Sequence, residues 1–80
     1  MKTTKYFDHM SLRSDRATIN DVWIQDVVLK PTKTSVQSDG RIRKWGYIKE
    51  VDKYLRVVLL EDGETVHNAF FDRTFKEDKP

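Results

Sequence analysis

Residues 54–72, YLRVVLLEDGETVHNAFFD, decide the fold of this chain. Asp62-Gly63 in their middle is a strong hairpin signal. The tight turns that join antiparallel strands need positive φ, which glycine adopts without steric cost. Residues 54–61 before the turn and 64–72 after it are rich in β-branched and aromatic side chains, as strands are. A two-residue loop pairs Glu61 with Glu64 and sets the count along both strands. Leu59 then faces Val66, Val57 faces Asn68 and Leu55 faces Phe70. Paired residues share a sheet face, and this mostly apolar one is the expected core side. The opposite face carries Leu60 with Thr65, Val58 with His67, Arg56 with Ala69 and Tyr54 with Phe71.

Towards the N-terminus, 41–51 (RIRKWGYIKEV) reads as a third strand. Carried across Asp52-Lys53, the same count sets Ile48 beside Val57 in the core, Lys49 beside Arg56, and Tyr47 beside Val58 and His67. Without interruption, Trp45, Arg43 and Arg41 join the second face. The outer face is then Arg41, Arg43, Trp45, Tyr47, Lys49, Arg56, Thr65 and His67, a mixture of cations and aromatic rings. A bulge at Gly46 would instead turn Arg41, Arg43 and Trp45 to the other side. Asp39-Gly40 is a second hairpin signal. Residues 32–38, Thr/Ser-rich with Val36 their one apolar residue, are either a loop or a weak edge strand.

Residues 5–16 (KYFDHMSLRSDR) read as a helix, with Phe7, Met10 and Ala17 on its buried stripe and Tyr6 at the margin. His9, Arg13 and Arg16 share the opposite face. Thr18 with Asp21 is a capping pattern that opens a second helix, about 19–30. Its broad apolar side is Ile19, Trp23, Ile24, Val27 and Val28, and Pro31 stops it. The expected architecture is α+β: two N-terminal helices packed on one face of a three- to four-stranded antiparallel sheet. One domain spans 5–75, with flexible ends at 1–4 and 76–80.

Eighty residues, 38% of them hydrophobic, build a modest core and leave no room for a large cofactor, so none is expected. The absence of cysteine excludes disulfides and thiolate zinc sites, and His9 and His67 alone would not complete a metal site. The opening MKTTKYFDHM has no apolar run of the kind a signal peptide needs, and no stretch approaches the ~20 apolar residues of a membrane span. A cytoplasmic location and no membrane partner are therefore expected. Net charge is only +2, yet Arg41, Arg43, Lys44 and Lys49 crowd one segment. Such a stripe on a nearly neutral chain points to a directed anion contact or to a solvated strand edge. Cations that meet phosphates beside rings that stack on unpaired bases suit RNA.

The order of motifs also resembles a known group. The helix with His9, Arg13 and Arg16, then Ile19, Val28 and Pro31, Asp39-Gly40-Arg41, Gly46, Leu55-Arg56-Val57-Val58 and Asp62-Gly63 carry the likeness. Together they resemble a family of small uncharacterised bacterial domains distantly related to the RelE and BrnT toxins, over roughly residues 6–73. The resemblance implies two helices on a curved antiparallel sheet (a RelE-like fold) and metal-free cleavage of messenger RNA by basic sheet residues. RNA or the ribosome is then the expected substrate, an acidic antitoxin-like protein the expected inhibitor, and the chain a monomer or weak dimer. The net charge is lower than is usual for RelE-type toxins, and TVHNAFFDR matches no toxin active site. The alternative is a non-catalytic module that binds RNA or protein with the same face.

Metal-free cleavage needs a base for the 2′-hydroxyl, an acid for the leaving oxygen and cations for the phosphorane charge. His67, the histidine that the count places on the basic face, and Arg56 are the expected catalytic residues. His67 is either the proton carrier or a strand histidine packed between Tyr47 and Phe71. Arg56 is either a two-pronged phosphate clamp or the partner of Glu50, Glu61 or Asp72. Arg41, Arg43 and Lys49 are either phosphate contacts or solvated strand charges. Tyr47, like Trp45, stacks a base or covers the sheet. Arg73 either closes the site or caps the strand.

Overall fold

A computed structural model of the chain describes residues 1–10 and 19–76. Asp62 builds its turn by accepting three hydrogen bonds, from the backbone N–H of Glu64 and of Thr65 (both 2.9 Å) and from the Thr65 hydroxyl (2.6 Å). These donors, the Thr65 hydroxyl foremost, hold the Asp62 carboxyl at a pKa of about 2. Gly63 takes a φ of 70°. The turn joins β3 (Lys53–Leu59) to β4 (Val66–Phe71), with Leu59 opposite Val66 as counted.

Beyond that pair the register slips. Val58 pairs with Asn68, so His67 is an extra residue on β4. The expected pairs Val57–Asn68 and Leu55–Phe70 give way to Val57–Ala69 and Leu55–Phe71, and Arg56 faces Phe70. The physical reason is Asn68. An unbroken count would press its amide against the core, where an unmatched polar group is costly. The bulge instead buries Ala69, and the Asn68 side chain, turned to the other face, accepts from the Ala69 N–H at 3.0 Å.

β2 (Ile42–Ile48) runs unbroken through Gly46, with Ile48 opposite Lys53 and Lys44 opposite Val57. Residues 49–52 are a longer turn than Asp52-Lys53 alone, with Asp52 at φ 53°. Ile48 therefore moves from its expected partner Val57 to Lys53. The shift is even, so each residue of β2 keeps its face, while Lys49 leaves the sheet for the turn. β1 (Lys33–Val36) is the edge strand, reached through a hairpin in which Gly40 takes a φ of 90°. The sheet order is β1-β2-β3-β4, antiparallel throughout.

Among the described residues two helices precede the sheet. α1 (Lys5–Met10) takes up the described part of the expected helix 5–16; residues 11–16, Arg13 and Arg16 among them, and Ala17 lie outside the described residues. α2 (Asp21–Leu29) is capped by Asn20, whose side chain accepts from the Val22 N–H at 2.8 Å; Thr18, the expected cap, lies outside the described residues. Lys44 donates to the Val28 carbonyl at 2.9 Å, tying β2 to the last turn of α2. Phe7 of α1 and Ile24 and Val27 of α2 share one core with Ile48, Leu55, Val57, Leu59, Val66 and Ala69. The opening residues, read from their polarity as a flexible end, lie against β4. The Val66 N–H donates to the Lys2 carbonyl at 2.8 Å, and the Thr4 N–H donates to the Val66 carbonyl at 3.0 Å. Among the described residues no helix is long and apolar enough to cross a membrane.

Gly46 sets how closely α2 approaches. A Cβ at that position would lie 2.8 Å from Val27 Cγ2. Gly46→Ala therefore lowers stability by about 1–3 kcal/mol through overpacking. In urea unfolding, the double change with Val27→Ala costs less than the sum of the two single changes. Strictly additive costs would show that α2 does not rest on Gly46.

Candidate nucleic-acid interface

The face of the sheet away from the core collects residues from every strand. β2 supplies Arg43, Trp45 and Tyr47, and β3 supplies Tyr54, Arg56 and Val58. By pairing with Trp45 and Arg43, Lys33 and Ser35 of β1 share this side. Because of the bulge, β4 presents Asn68 and Phe70 here, and Asp72 follows with the same alternation.

Trp45 is the centre of this face and is packed, only 7% exposed. Its indole N–H donates to Asp72 Oδ2 at 3.0 Å. Phe75 folds back to stack on it, with centroids 5.1 Å apart and planes at 15°. The Arg43 and Arg56 guanidinium carbons each lie 5.5 Å from its ring centroid. Arg56 also lies 5.1 Å from the Phe70 centroid and pairs with Asp72 Oδ2 at 3.6 Å. Burial opposes the charge on Asp72. Hydrogen bonds from Trp45 and Thr74, with the nearby Arg56, outweigh it and hold the carboxyl below its ordinary pKa.

One end of the face is more open and cationic. Arg41 pairs loosely with Asp39, Nε to Oδ2 3.7 Å, both side chains about half exposed. Arg43 donates to the Ser35 hydroxyl at 3.2 Å, a neutral partner. His67 sits on the bulge nearby. Its Nδ1 is 3.1 Å from Thr4 Oγ1, and its ring stacks on Tyr6 with centroids 4.9 Å apart. Burial first, and the positive charge of Arg41 second, push the His67 pKa below its usual value.

The expected catalytic pair is not assembled. Arg56 stands opposite Phe70, three residues along β4 from His67, or about 10 Å at ~3.3 Å per residue. Arg56 is engaged by Asp72 and His67 by Thr4 and Tyr6, not by Tyr47 and Phe71. Lys49 is not on the sheet face at all. The longer turn carries it to an exposed position beside Trp23, Asp26 and Glu50. Tyr47 is half exposed, donates its hydroxyl to Asp52 and meets Tyr54 edge-on at 5.4 Å. The Asp52 hydrogen bond is the main cause of its raised pKa. Arg73 is exposed beyond β4, lining a cleft with Tyr54 and Phe75.

Of the three acids offered as partners of Arg56, Asp72 is the one that pairs with it. Sequence reasoning missed its bond to Trp45, the stacking of Phe75 on that ring, and Thr4 and Tyr6 as the partners of His67. Phe75 did carry a signal, as an aromatic residue in an otherwise polar C-terminal stretch. Among the described residues no His, Asp and Glu side chains are grouped as a metal site needs. No protein-family model matches the chain, and no curated protein or solved structure matches it.

The lowered His67 pKa gives a stability profile with a definite sign. The unfolded chain binds the proton more readily, with an ordinary histidine pKa of ~6.5. The neutral ring's contribution is present above that pH and is lost as pH falls through the lower folded value. Urea midpoints fall between pH 7.5 and 5.5 in the parent chain, and His67→Gln flattens that slope. An equal fall in the variant would place the titrating group elsewhere.

Proposed function

We propose that this chain is a non-catalytic module that binds single-stranded RNA across the outer sheet face, with Arg43 and Arg41 as the leading phosphate contacts. The observation that carries this reading is the partner of Arg43. Its guanidinium is held over Trp45, and its hydrogen bond goes to the Ser35 hydroxyl rather than to a carboxylate. The positive charge is positioned and, among the described residues, left without a matching acid, which is how a phosphate contact is prepared. Arg41 stands two positions away on the same side, its acid partner solvent-exposed and at the limit of ion-pair distance. Tyr47 presents a half-exposed ring further along the same strand for stacking.

Binding is favoured over cutting because the acid–base pair that metal-free cleavage needs is dispersed. The RelE/BrnT-like ribonuclease is the second reading, and His67 favours it. Burial and Arg41 keep the imidazole neutral near pH 7, the form a general base needs. Either reading fits a RelE-like arrangement of helices and sheet. In either, an acidic antitoxin-like segment would compete for Arg41 and Arg43.

Fluorescence anisotropy with a labelled single-stranded RNA tests both readings. Affinity falls steeply with salt, and Arg43→Ala reduces the log–log slope by roughly 0.7, one single-strand phosphate contact. The RNA is recovered uncut. Binding that ignores Arg43→Ala and Arg41→Ala would move the interface elsewhere. Cleavage lost in His67→Gln would restore the ribonuclease.

A further inference from the structure

The ring of Phe75 occupies the place on Trp45 that a stacked base would take. The two rings are nearly parallel, at 15° with centroids 5.1 Å apart, and Tyr54 closes the other side, 4.8 Å from Phe75 at 59°. Phe75 is not a member of the sheet. The backbone of its segment is fixed to β3 at Asp72, whose N–H donates to the Tyr54 carbonyl at 2.9 Å. Thr74 is then turned back by two bonds to Asp72 Oδ1, at 3.0 Å and 2.7 Å. Phe75 is held by its ring contacts, beyond the last of these hydrogen bonds.

The surroundings also differ from a finished packing. Arg43 and Arg56 flank Trp45, and each keeps a buried Nε–H without an acceptor among the described residues. Buried donors are ordinarily matched. Here two are left unmatched beside an aromatic ring, an arrangement that an anion carried on a flat ring would complete. A nucleotide unit is such a ligand, its base on Trp45 and its phosphate at the guanidinium groups.

We infer that Phe75 is a removable occupant of a base-stacking slot between Trp45 and Tyr54, which an unpaired nucleobase of bound RNA fills once the ring swings away. The inference rests on the outer face being an RNA surface and names what its packed centre receives. The chain then exists in a covered state and an open state, and only the open state offers the slot. Apparent affinity for a base is lowered by the open fraction, and removing the cover recovers it.

The test uses the full chain, fluorescein-labelled oligouridylate and an abasic oligomer of equal length and charge. Phe75→Ala tightens binding of oligouridylate by on the order of tenfold if about one molecule in ten is open, and leaves the abasic oligomer unchanged. Phe75→Leu, which keeps apolar volume but loses the flat ring, tightens it in the same direction and guards against a folding loss in the alanine variant. In a Trp23→Phe background, acrylamide quenching of Trp45 rises in both variants. If the parent chain binds oligouridylate and both variants bind it equally or worse, the ring is a fixed part of the packing and the inference falls, while the arginine end keeps its role. If both oligomers tighten equally, Phe75 screens phosphate contacts and the base slot is refuted. If no form of the chain binds either oligomer, the RNA reading falls and takes the slot with it.

Discussion

The extra residue at His67 governs which way every later side chain of β4 points. Strand side chains alternate with a period of two, so one inserted residue reverses the faces of all that follow. With the insertion, Ala69 and Phe71 turn to the helices, and Phe70 and Asp72 turn to the outer face. Without it, Asn68 would enter the core and Asp72 would point away from Trp45. The core therefore requires the bulge, and the polar network of the other face follows from it. Its cost is local, because Asn68 satisfies the neighbouring amide with its own side chain.

That network divides the outer face into two kinds of charge. Asp72 is the better buried partner of Arg56, their side chains 9% and 23% exposed. An ion pair taken this far from water gains little net stability, since desolvation offsets most of the attraction. Its effect is positional: one carboxylate oxygen takes both the Trp45 indole and Arg56, which fixes the ring that Arg43 lies against. Arg41 and Arg43 are supported differently, by an exposed acid and by a hydroxyl. The neutralised centre orients the face, and the less neutralised end is where charge remains for a ligand.

Legibility in the sequence followed the same physical lines. Both Asp-Gly pairs lie in hairpin turns with the glycine at positive φ, a local demand that glycine meets, although the second turn closes between Leu60 and Thr65 and not between Glu61 and Glu64. The faces of β2 survived a wrong pairing across residues 49–52 because the error was even. The bulge had a sign in the sequence, since an unbroken count set Asn68 among core residues, but a count from one turn has no means of choosing where to insert a residue. Asn20 stands immediately before α2, and the spacing rule that favoured Thr18 overlooked the nearer cap. The surroundings of His67 depend on Thr4 and Tyr6, more than sixty residues away along the chain. A contact of that separation leaves no periodic trace.

Asp72 also links the two halves of the outer face without locking them together. Its Oδ2 receives the Trp45 indole, while its Oδ1 receives the backbone and hydroxyl of Thr74. The first set holds the tryptophan in place, and the second folds the following residues so that Phe75 lands on it. Because the two sets use different oxygens, movement of Phe75 need not disturb the orientation of Trp45 or the Arg56 pair. The energy that keeps the ring down is then the stacking itself, of the order of ~1 kcal/mol for an aromatic pair beyond its area. A base offers the same ring stacking and adds a phosphate for arginines that the Phe75 ring cannot satisfy. An exchange between two such similar occupants is decided by the charge that only one of them carries.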